Sequence, residues 1–169
     1  MENTKLITLC GMISALAVVI MLVGGILELG TYAAPMIAGL CLIPIGKKYG
    51  RKYHLAIWGV VSIVSFLVVP YIEQDLIFLS LFGLYPVIYP TFQKLPKALR
   101  IITKLLYFNI ITVAVEALVM LVLVPEIMNA AMITLLLLMG NITFLLYDFI
   151  IPRAELILDK YLGRFMRKF

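Results

Sequence analysis

The carboxyl group of Glu116 is the feature of this sequence that most needs a chemical explanation. Glu116 lies inside an apolar run, about 13 Å from Pro125 if the run is helical and rises 1.5 Å per residue. A charged carboxylate near the middle of a membrane is unfavourable unless it is paired or faces water or a ligand. We therefore interpret Glu116 as a candidate substrate-binding residue. The structural alternative is a protonated Glu116 that is hydrogen-bonded to a neighbouring helix.

Two polar pairs share the seven-residue spacing that places side chains on one helical face. Asn109 precedes Glu116 by seven residues, and Asn141 precedes Asp148 by the same interval. Both faces are predicted to point into the bundle. Asn141 is predicted to lie near mid-depth, level with Glu116, and to belong to the same site.

The other members of the two pairs, Asn109 and Asp148, are predicted to form a structural layer nearer the cytoplasm. There Lys104 or Arg153 would neutralise the acid. Tyr85, in a segment that contains proline, would add an aromatic wall and a hydroxyl group to the site of Glu116. Core packing is the alternative role for Tyr85.

A short glycine-containing loop follows the first apolar run. Glu28 and Tyr32 flank this loop, which follows Gly24 and Gly25 and contains Gly30. It is predicted to be flexible enough to cover a site, and an ordinary turn is the alternative.

Catalytic and metal-binding motifs are absent from the sequence. It contains no GxxxxGK[ST] nucleotide-binding loop, no HExxH, no GxSxG and no paired cysteines. Cys10 and Cys41 are interpreted as packing residues, and His54, close to Tyr53 and Trp58, as an anchor at the membrane interface. We therefore predict no enzymatic activity, no catalytic residue, no metal and no cofactor.

The elements that position these residues are predicted to be membrane helices. Hydrophobic residues make up 64% of the 169 residues, against roughly 45–50% in a soluble domain. The net charge of +5 could suggest nucleic acid, but basic residues in so apolar a chain are better explained by the inner membrane face. Membrane lipid is therefore an expected partner, and nucleic acid is not.

Charged residues, proline and glycine divide the chain into six hydrophobic runs. The runs cover residues 7–27, 31–45, 54–71, 76–89, 101–124 and 128–151. The predicted fold is an all-α integral membrane bundle of six helices. The second and fourth runs are short and contain prolines: Pro35, Pro44, Pro86 and Pro90. Both are expected to be kinked or incomplete helices inside the bundle, since broken backbone at membrane depth must be covered.

The charges on the loops segregate by sign. The basic residues would all lie on one side of the membrane: Lys5, Lys47, Lys48, Arg51, Lys52, Lys94, Lys97, Arg100, Lys104, Arg153, Lys160, Arg164, Arg167 and Lys168. The loops on the opposite side carry only acids: Glu28, Glu73, Asp75 and Glu126. The positive-inside rule then predicts a multi-pass plasma-membrane protein with cytoplasmic amino and carboxyl termini.

The pattern changes after Pro152. Apolar residues then recur at helical spacing between charged ones: Ala154, Leu158, Tyr161, Leu162, Phe165 and Phe169. We predict a transmembrane domain over residues 1–151 and a cytoplasmic amphipathic helix over residues 152–169, on the inner leaflet. Lipid anchoring and a binding face for a partner are both compatible with it.

Gly11 and Ala15 in the first run form a small-xxx-small pair that would let another helix approach closely. With six short-looped helices, inside termini and no ATP site, the chain resembles the substrate-binding S components of energy-coupling-factor (ECF) transporters. The segments Gly83–Pro90, Lys94–Lys97 and Leu105–Asn109 are similar to small S-component-like membrane proteins of Gram-positive bacteria.

This resemblance implies a function in the uptake of a vitamin-like micronutrient. In that family an AxxxA motif in helix one contacts a membrane coupling subunit that ATPase subunits drive, and Gly11 and Ala15 have the matching spacing, with Gly in place of the first Ala. Substrate is bound near the outer side by the loop after helix one and by helices four to six. The candidates that this implies are Glu28, Tyr32, Tyr85, Glu116 and Asn141. A membrane scaffold or assembly subunit and a small proton-coupled carrier are the alternatives.

Overall fold

The protein is a helical bundle. The computed structural model describes residues 2–27, 31–122 and 130–166. Its helices are α1 (Glu2–Ile26), α2 (Ala33–Tyr49), α3 (Arg51–Val68), α4 (Ile72–Ile77), a π-helical turn (Phe78–Phe82), α5 (Tyr85–Phe92), α6 (Lys97–Val122) and α7 (Ala130–Met166). The described ranges contain no strand, so the predicted all-α class is confirmed. Each hydrophobic run corresponds to one helical segment, the fourth being α4, the π-helical turn and α5 together.

Five helices within the described ranges are long and apolar enough to cross a membrane. They are Thr4–Ile26, Arg51–Val68, Ile72–Phe92, Lys97–Leu121 and Leu137–Ala154. The 17-residue helix α2 is one residue shorter than the shortest of these. These lengths and compositions are those of a multi-pass membrane protein.

The two proline-containing segments lie inside the bundle, as predicted. In the Ile72–Phe92 segment 44% of the residues are buried, against 22–28% in the four other candidate spans. Helix α2 packs against α1, α3, α7 and the π-helical turn. It contributes Leu42 to the core shared with α1 and α3, and Ile43 to the largely aromatic core shared with α6 and α7.

The fourth segment is interrupted at its centre. The amide of Gly83 donates to the carbonyl of Phe78, five residues back, at 2.9 Å, and the amide of Val87 donates to Leu84, three residues back, at 3.1 Å. Because Pro86 has no amide proton, the carbonyl of Phe82 has no helical donor. Carbonyl groups are therefore released from the regular helical ladder at membrane depth.

Side chains of neighbouring helices contact four carbonyl groups around this break. Trp58 Nε1 donates to Leu79 O at 3.1 Å, Tyr107 OH to Ser80 O at 3.0 Å and Tyr147 OH to Phe82 O at 2.7 Å, and His54 Nε2 lies 3.0 Å from Gly83 O. Unsatisfied backbone groups are strongly unfavourable where water is absent, so these contacts make the break tolerable. The prediction that protein covers the broken backbone is confirmed.

His54 is part of this arrangement and not an interface anchor. It is 2% exposed, and its ring lies against both Gly83 O and Gly46. The predicted interfacial role of His54 is therefore wrong. The two cysteines are free and partly buried among core side chains, in agreement with a packing role.

Gly24 and Gly25 belong to the last turn of α1 and not to a flexible loop. A Cβ at Gly24 would lie 2.2 Å from the Ala34 Cβ, and one at Gly25 would lie 3.4 Å from atoms of Tyr71 and Val69. The absent side chain at Gly24 therefore allows α2 to approach the end of α1, whereas a side chain at Gly25 would meet its neighbours at ordinary van der Waals distance. The predicted cover residues Glu28 and Gly30 lie outside the described residues.

Helix α7 continues through Pro152 as far as Met166. The regions 1–151 and 152–169, which the sequence separates, are thus joined by one helix within the described chain. The position of the second region on a membrane surface stays a prediction.

Candidate binding site at the acidic end of the bundle

A cavity opens at one end of the bundle, where α1 and α3 end and α2 and α4 begin. We call this the acidic end, because Glu73 and Glu116 lie there. The cavity measures about 360 Å³ and is lined by Gly24, Gly25, Thr31, Tyr71, Glu73 and Gln74. This cavity is lined mainly by polar side chains and glycine.

Three consecutive polar residues in α4 contact three different helices. Successive side chains on an α-helix diverge by about 100°. Glu73 lies within hydrogen-bonding range of Glu116 on α6, and Gln74 Nε2 donates to Met21 O on α1 at 2.7 Å. Asp75, which is 1% exposed, packs against α3 near Ser65, and its two carboxyl oxygens have no hydrogen-bond partner among the described residues. The start of α4 is therefore held by α1, α3 and α6, and Glu73 reaches both the cavity and Glu116.

The Glu73 and Glu116 carboxyl groups lie within hydrogen-bonding range of each other. Two carboxylates in direct contact repel each other strongly if both are ionised, so such a pair holds a proton between its members. Tyr32 OH, at the start of α2, donates to Glu116 Oε1 at 3.4 Å. The arrangement can exchange its shared proton for a cation, or accept hydrogen bonds from a ligand.

The partners of Glu116 place it near the acidic end of the bundle. Tyr32 is the N-cap residue of α2 and Glu73 lies in the first turn of α4, so Glu116 is level with the ends of those helices. Its position at mid-depth of a membrane stays a prediction. Tyr32 and Glu116 are brought together, as the candidate site requires, whereas Glu28 lies outside the described residues.

Asn141 does not join the Glu116 site. Its amide forms a reciprocal pair with that of Asn109, with Nδ2 to Oδ1 distances of 3.0 and 2.9 Å. Each amide also donates to a carbonyl of its own helix, at Leu105 and Leu137. The prediction that Asn141 binds substrate is not supported by these contacts, because its hydrogen bonds are made within an α6–α7 packing contact.

Tyr85 also lies away from the cavity. It is fully buried, and its hydroxyl donates to Asp148 Oδ1 at 2.5 Å. The same oxygen accepts from Lys104 Nζ at 2.6 Å. The predicted neutralisation of Asp148 by Lys104 is confirmed, while Arg153 donates to Phe149 O of its own helix. Tyr85 thus belongs to the layer that the sequence assigns to structure, and its predicted contribution to the Glu116 site is wrong.

The contribution of Glu73 is missed by the sequence interpretation, which treats Glu73 and Asp75 as loop acids. A usable signal exists in the polar triplet Glu73–Asp75, which begins three residues after Pro70 and directly precedes an apolar run. Proline just before a helix favours its start there. The triplet is then the first turn of a helix inside the bundle, where polar groups need partners.

Comparison with known protein families, curated proteins and solved structures gave no match to this chain. The resemblance to S components therefore stays a prediction. The function is argued below from the contacts of the described residues.

Proposed function

We propose that this chain is a substrate-binding membrane subunit of an ATP-driven importer of the ECF type. Its substrate would be a small, vitamin-like micronutrient with a cationic or hydrogen-bond-donating group. The observation that carries this proposal is that Glu73 both lines the cavity at the acidic end and pairs with Glu116. A partly buried acid pair beside an open cavity can bind a ligand that carries a positive charge or hydrogen-bond donors.

The size and the polar groups of the cavity support a small ligand. A volume of about 360 Å³ falls at the lower end of the 300–1,000 Å³ typical of small-molecule pockets. The side chain of Gln74 is fixed by its bond to Met21 O and is 2% exposed. Tyr32 holds one oxygen of Glu116. A ligand cation that displaces the shared proton would meet two carboxylates whose positions are already set.

An ATP-driven role requires a partner, since the sequence has no nucleotide-binding loop. Gly11 and Ala15 are both exposed on α1, and nothing lies within 4 Å of a Cβ built at Gly11. Small exposed residues allow two helix backbones to approach closely in lipid. We assign this surface to a membrane coupling subunit, which would be driven by separate ATPase subunits.

Two pairs of substitutions are expected to separate ligand binding from partner binding. Native mass spectrometry of the gently purified parent should show a retained small molecule, which Glu73→Gln with Glu116→Gln removes because no carboxylate remains. Gly11→Leu with Ala15→Leu should keep the ligand but prevent co-purification with co-expressed coupling and ATPase subunits. Each pair serves as the folding control of the other.

A further control adds bulk elsewhere on α1. Val19→Leu with Val23→Leu enlarges two exposed side chains on the same helix and should leave ligand and partners in place. Loss of partners in this control would mean that any bulk on α1 is disruptive. A parent that retains no small molecule but still co-purifies with other membrane proteins would favour the scaffold reading.

The carboxyl pair also favours a second function, a small proton-coupled carrier. Exchange of a shared proton for a substrate cation is the step that such a carrier needs. Uptake into vesicles that is driven by an imposed pH gradient without ATP, and is lost in Glu116→Gln, would favour the carrier over the importer subunit.

For orientation, we propose that the acidic end faces outwards and that both termini are cytoplasmic. In a variant whose own cysteines are replaced by alanine, Tyr71→Cys at the acidic end should react with an impermeant thiol reagent added to intact cells. Arg51→Cys, which is exposed at the opposite end, should react only after the cells are opened. Labelling of Arg51→Cys in intact cells would reverse the orientation.

A further inference from the structure

A second cleft of about 360 Å³ lies at the opposite end of the bundle, where α2 ends and α3 begins. We call this the basic end. The cleft is lined by Ile43, Gly46, Lys47, Arg51, His54, Pro86, Val87, Pro90 and Thr91. None of these is acidic, and Lys47 and Arg51 bring two positive charges to its wall. The Asp148 carboxylate, in the same half of the bundle, forms a salt bridge with Lys104.

The first turn of α3 carries positive charges, which the dipole of this helix disfavours. Helix amino termini are partly positive, so acids stabilise the first turn and bases destabilise it. Helix α3 nevertheless begins with Arg51 and Lys52, has no acid in its first turn and no side-chain cap. Its N-cap residue is Gly50, at φ 100°, which has no side chain to accept from the first amides. A bound anion would neutralise the basic residues of the first turn and accept hydrogen bonds from the first amides.

The walls of the cleft are formed by tightly packed and apolar groups. A Cβ at Gly46 would lie 2.7 Å from His54 Nδ1, so His54 occupies the room that a side chain at Gly46 would need. Pro86 and Pro90 present ring carbons from α5, and Thr91 adds an exposed hydroxyl group. The result is an apolar back wall with a cationic and hydrogen-bonding mouth.

We propose that this cleft binds a phosphate group, held by Lys47 and Arg51 at the amino terminus of α3. Phosphate suits the site because it is anionic and accepts several hydrogen bonds at once. At the basic end of a membrane bundle this group comes either from an anionic lipid headgroup or from free phosphate.

Two probes distinguish the sources. Short-chain phosphatidylglycerol in neutral detergent micelles supplies the lipid headgroup, and inorganic phosphate supplies the free anion. The fluorescence of Trp58, the single tryptophan of the chain, reports binding, since it lies one helical turn beyond His54. Native mass spectrometry of the lipid-loaded protein gives an independent count of bound lipid.

Lys47→Gln with Arg51→Gln is expected to weaken binding about 30-fold, as expected for two basic residues at a membrane surface. The control, Lys94→Gln with Lys97→Gln, removes the same charge from exposed residues outside the cleft and should change binding less than about threefold. All four side chains are exposed, so both variants should fold. If the double cleft variant does not fold, Arg51→Gln is compared with Lys97→Gln, with about a fivefold loss expected.

Saturable lipid binding that only the cleft variant loses supports a headgroup site. Saturable phosphate binding with the same dependence supports a site for free phosphate. Equal losses of probe binding in the cleft and control variants would show that binding depends only on overall charge, and this would overturn the proposal. So would the absence of saturable binding of either probe to the parent.

Discussion

Asp148→Ala is expected to destabilise the bundle by about 3–5 kcal/mol, because it leaves the buried ammonium group of Lys104 without its partner. Lys104 is 5% exposed, and its Nζ lies 2.6 Å from Asp148 Oδ1. The same substitution removes the acceptor of the buried Tyr85 hydroxyl. The buried Lys104 ammonium and Tyr85 hydroxyl groups would then both be unsatisfied.

The ring of Tyr89 offers Lys104 only partial compensation. The ammonium nitrogen lies 4.6 Å from the ring centroid, and such contacts contribute about 0.5–2 kcal/mol. This is less than the cost of an unpaired buried charge, so the net effect of Asp148→Ala stays strongly unfavourable.

The measurement is the free energy of unfolding in mixed micelles, for the parent and three variants. Lys104→Met with Asp148→Leu removes both charges and should recover the part of the loss that comes from the unpaired ammonium group, since apolar pairs often replace buried ion pairs without a penalty. The part that comes from the Tyr85 hydroxyl should remain. Arg153→Met, at an exposed residue bonded to its own helix, should change stability by less than about 0.5 kcal/mol. A change below 1 kcal/mol in Asp148→Ala would show that Lys104 is solvated there.

The helical segments could be predicted from the sequence because charge and proline mark their ends. The side-chain pairings between helices could not be predicted in this way, and Asn141 shows why. Counting depth from the loops treats every helix as beginning at one level, whereas α6 covers Lys97–Val122 and α7 extends over 37 residues to Met166. The count therefore set Asn141 beside Glu116, when its partner is Asn109.

Tyr85 illustrates a second limit, which comes from the π-helical turn. An α-helix advances about 100° per residue, and a π-type bond from Gly83 to Phe78 adds a residue to one turn. Every side chain beyond that turn is rotated relative to a regular helix. Periodicity in the sequence therefore could not place Tyr85 against Asp148.

For His54 and Glu73 the sequence offers only their position along the chain. His54 lies among basic residues typical of an interface, yet the broken backbone needs donors and His54 meets the carbonyl of Gly83. Glu73 lies between two apolar runs, yet the first turn of α4 faces α6. In both cases a polar group was positioned by a partner remote in sequence, and no local pattern encodes that partner.

Gly39→Ala is expected to destabilise the protein by about 1–3 kcal/mol, the typical effect of overpacking a core. A Cβ at Gly39 would lie 2.4 Å from Phe82 O and 2.8 Å from Tyr147 OH. Those two atoms are hydrogen-bonded to each other at 2.7 Å. Since Pro86 gives Phe82 O no helical donor, displacing Tyr147 would leave the carbonyl unsatisfied, and avoiding that would require backbone movement.

Gly59→Ala supplies the matched control, because the same methyl group is added to a helix where nothing lies within 4 Å. Alanine is favoured over glycine inside a helix by about 0.8–1 kcal/mol, so Gly59→Ala should stabilise the protein slightly. Both variants gain the same helix propensity, and the difference between them isolates the contact of α2 with the break. Changes of opposite sign in the free energy of unfolding would show that the close approach lies at Gly39. Equal stabilisation of both variants would mean that α2 and the π-helical turn separate freely, and the carbonyl of Phe82 would then not depend on Tyr147.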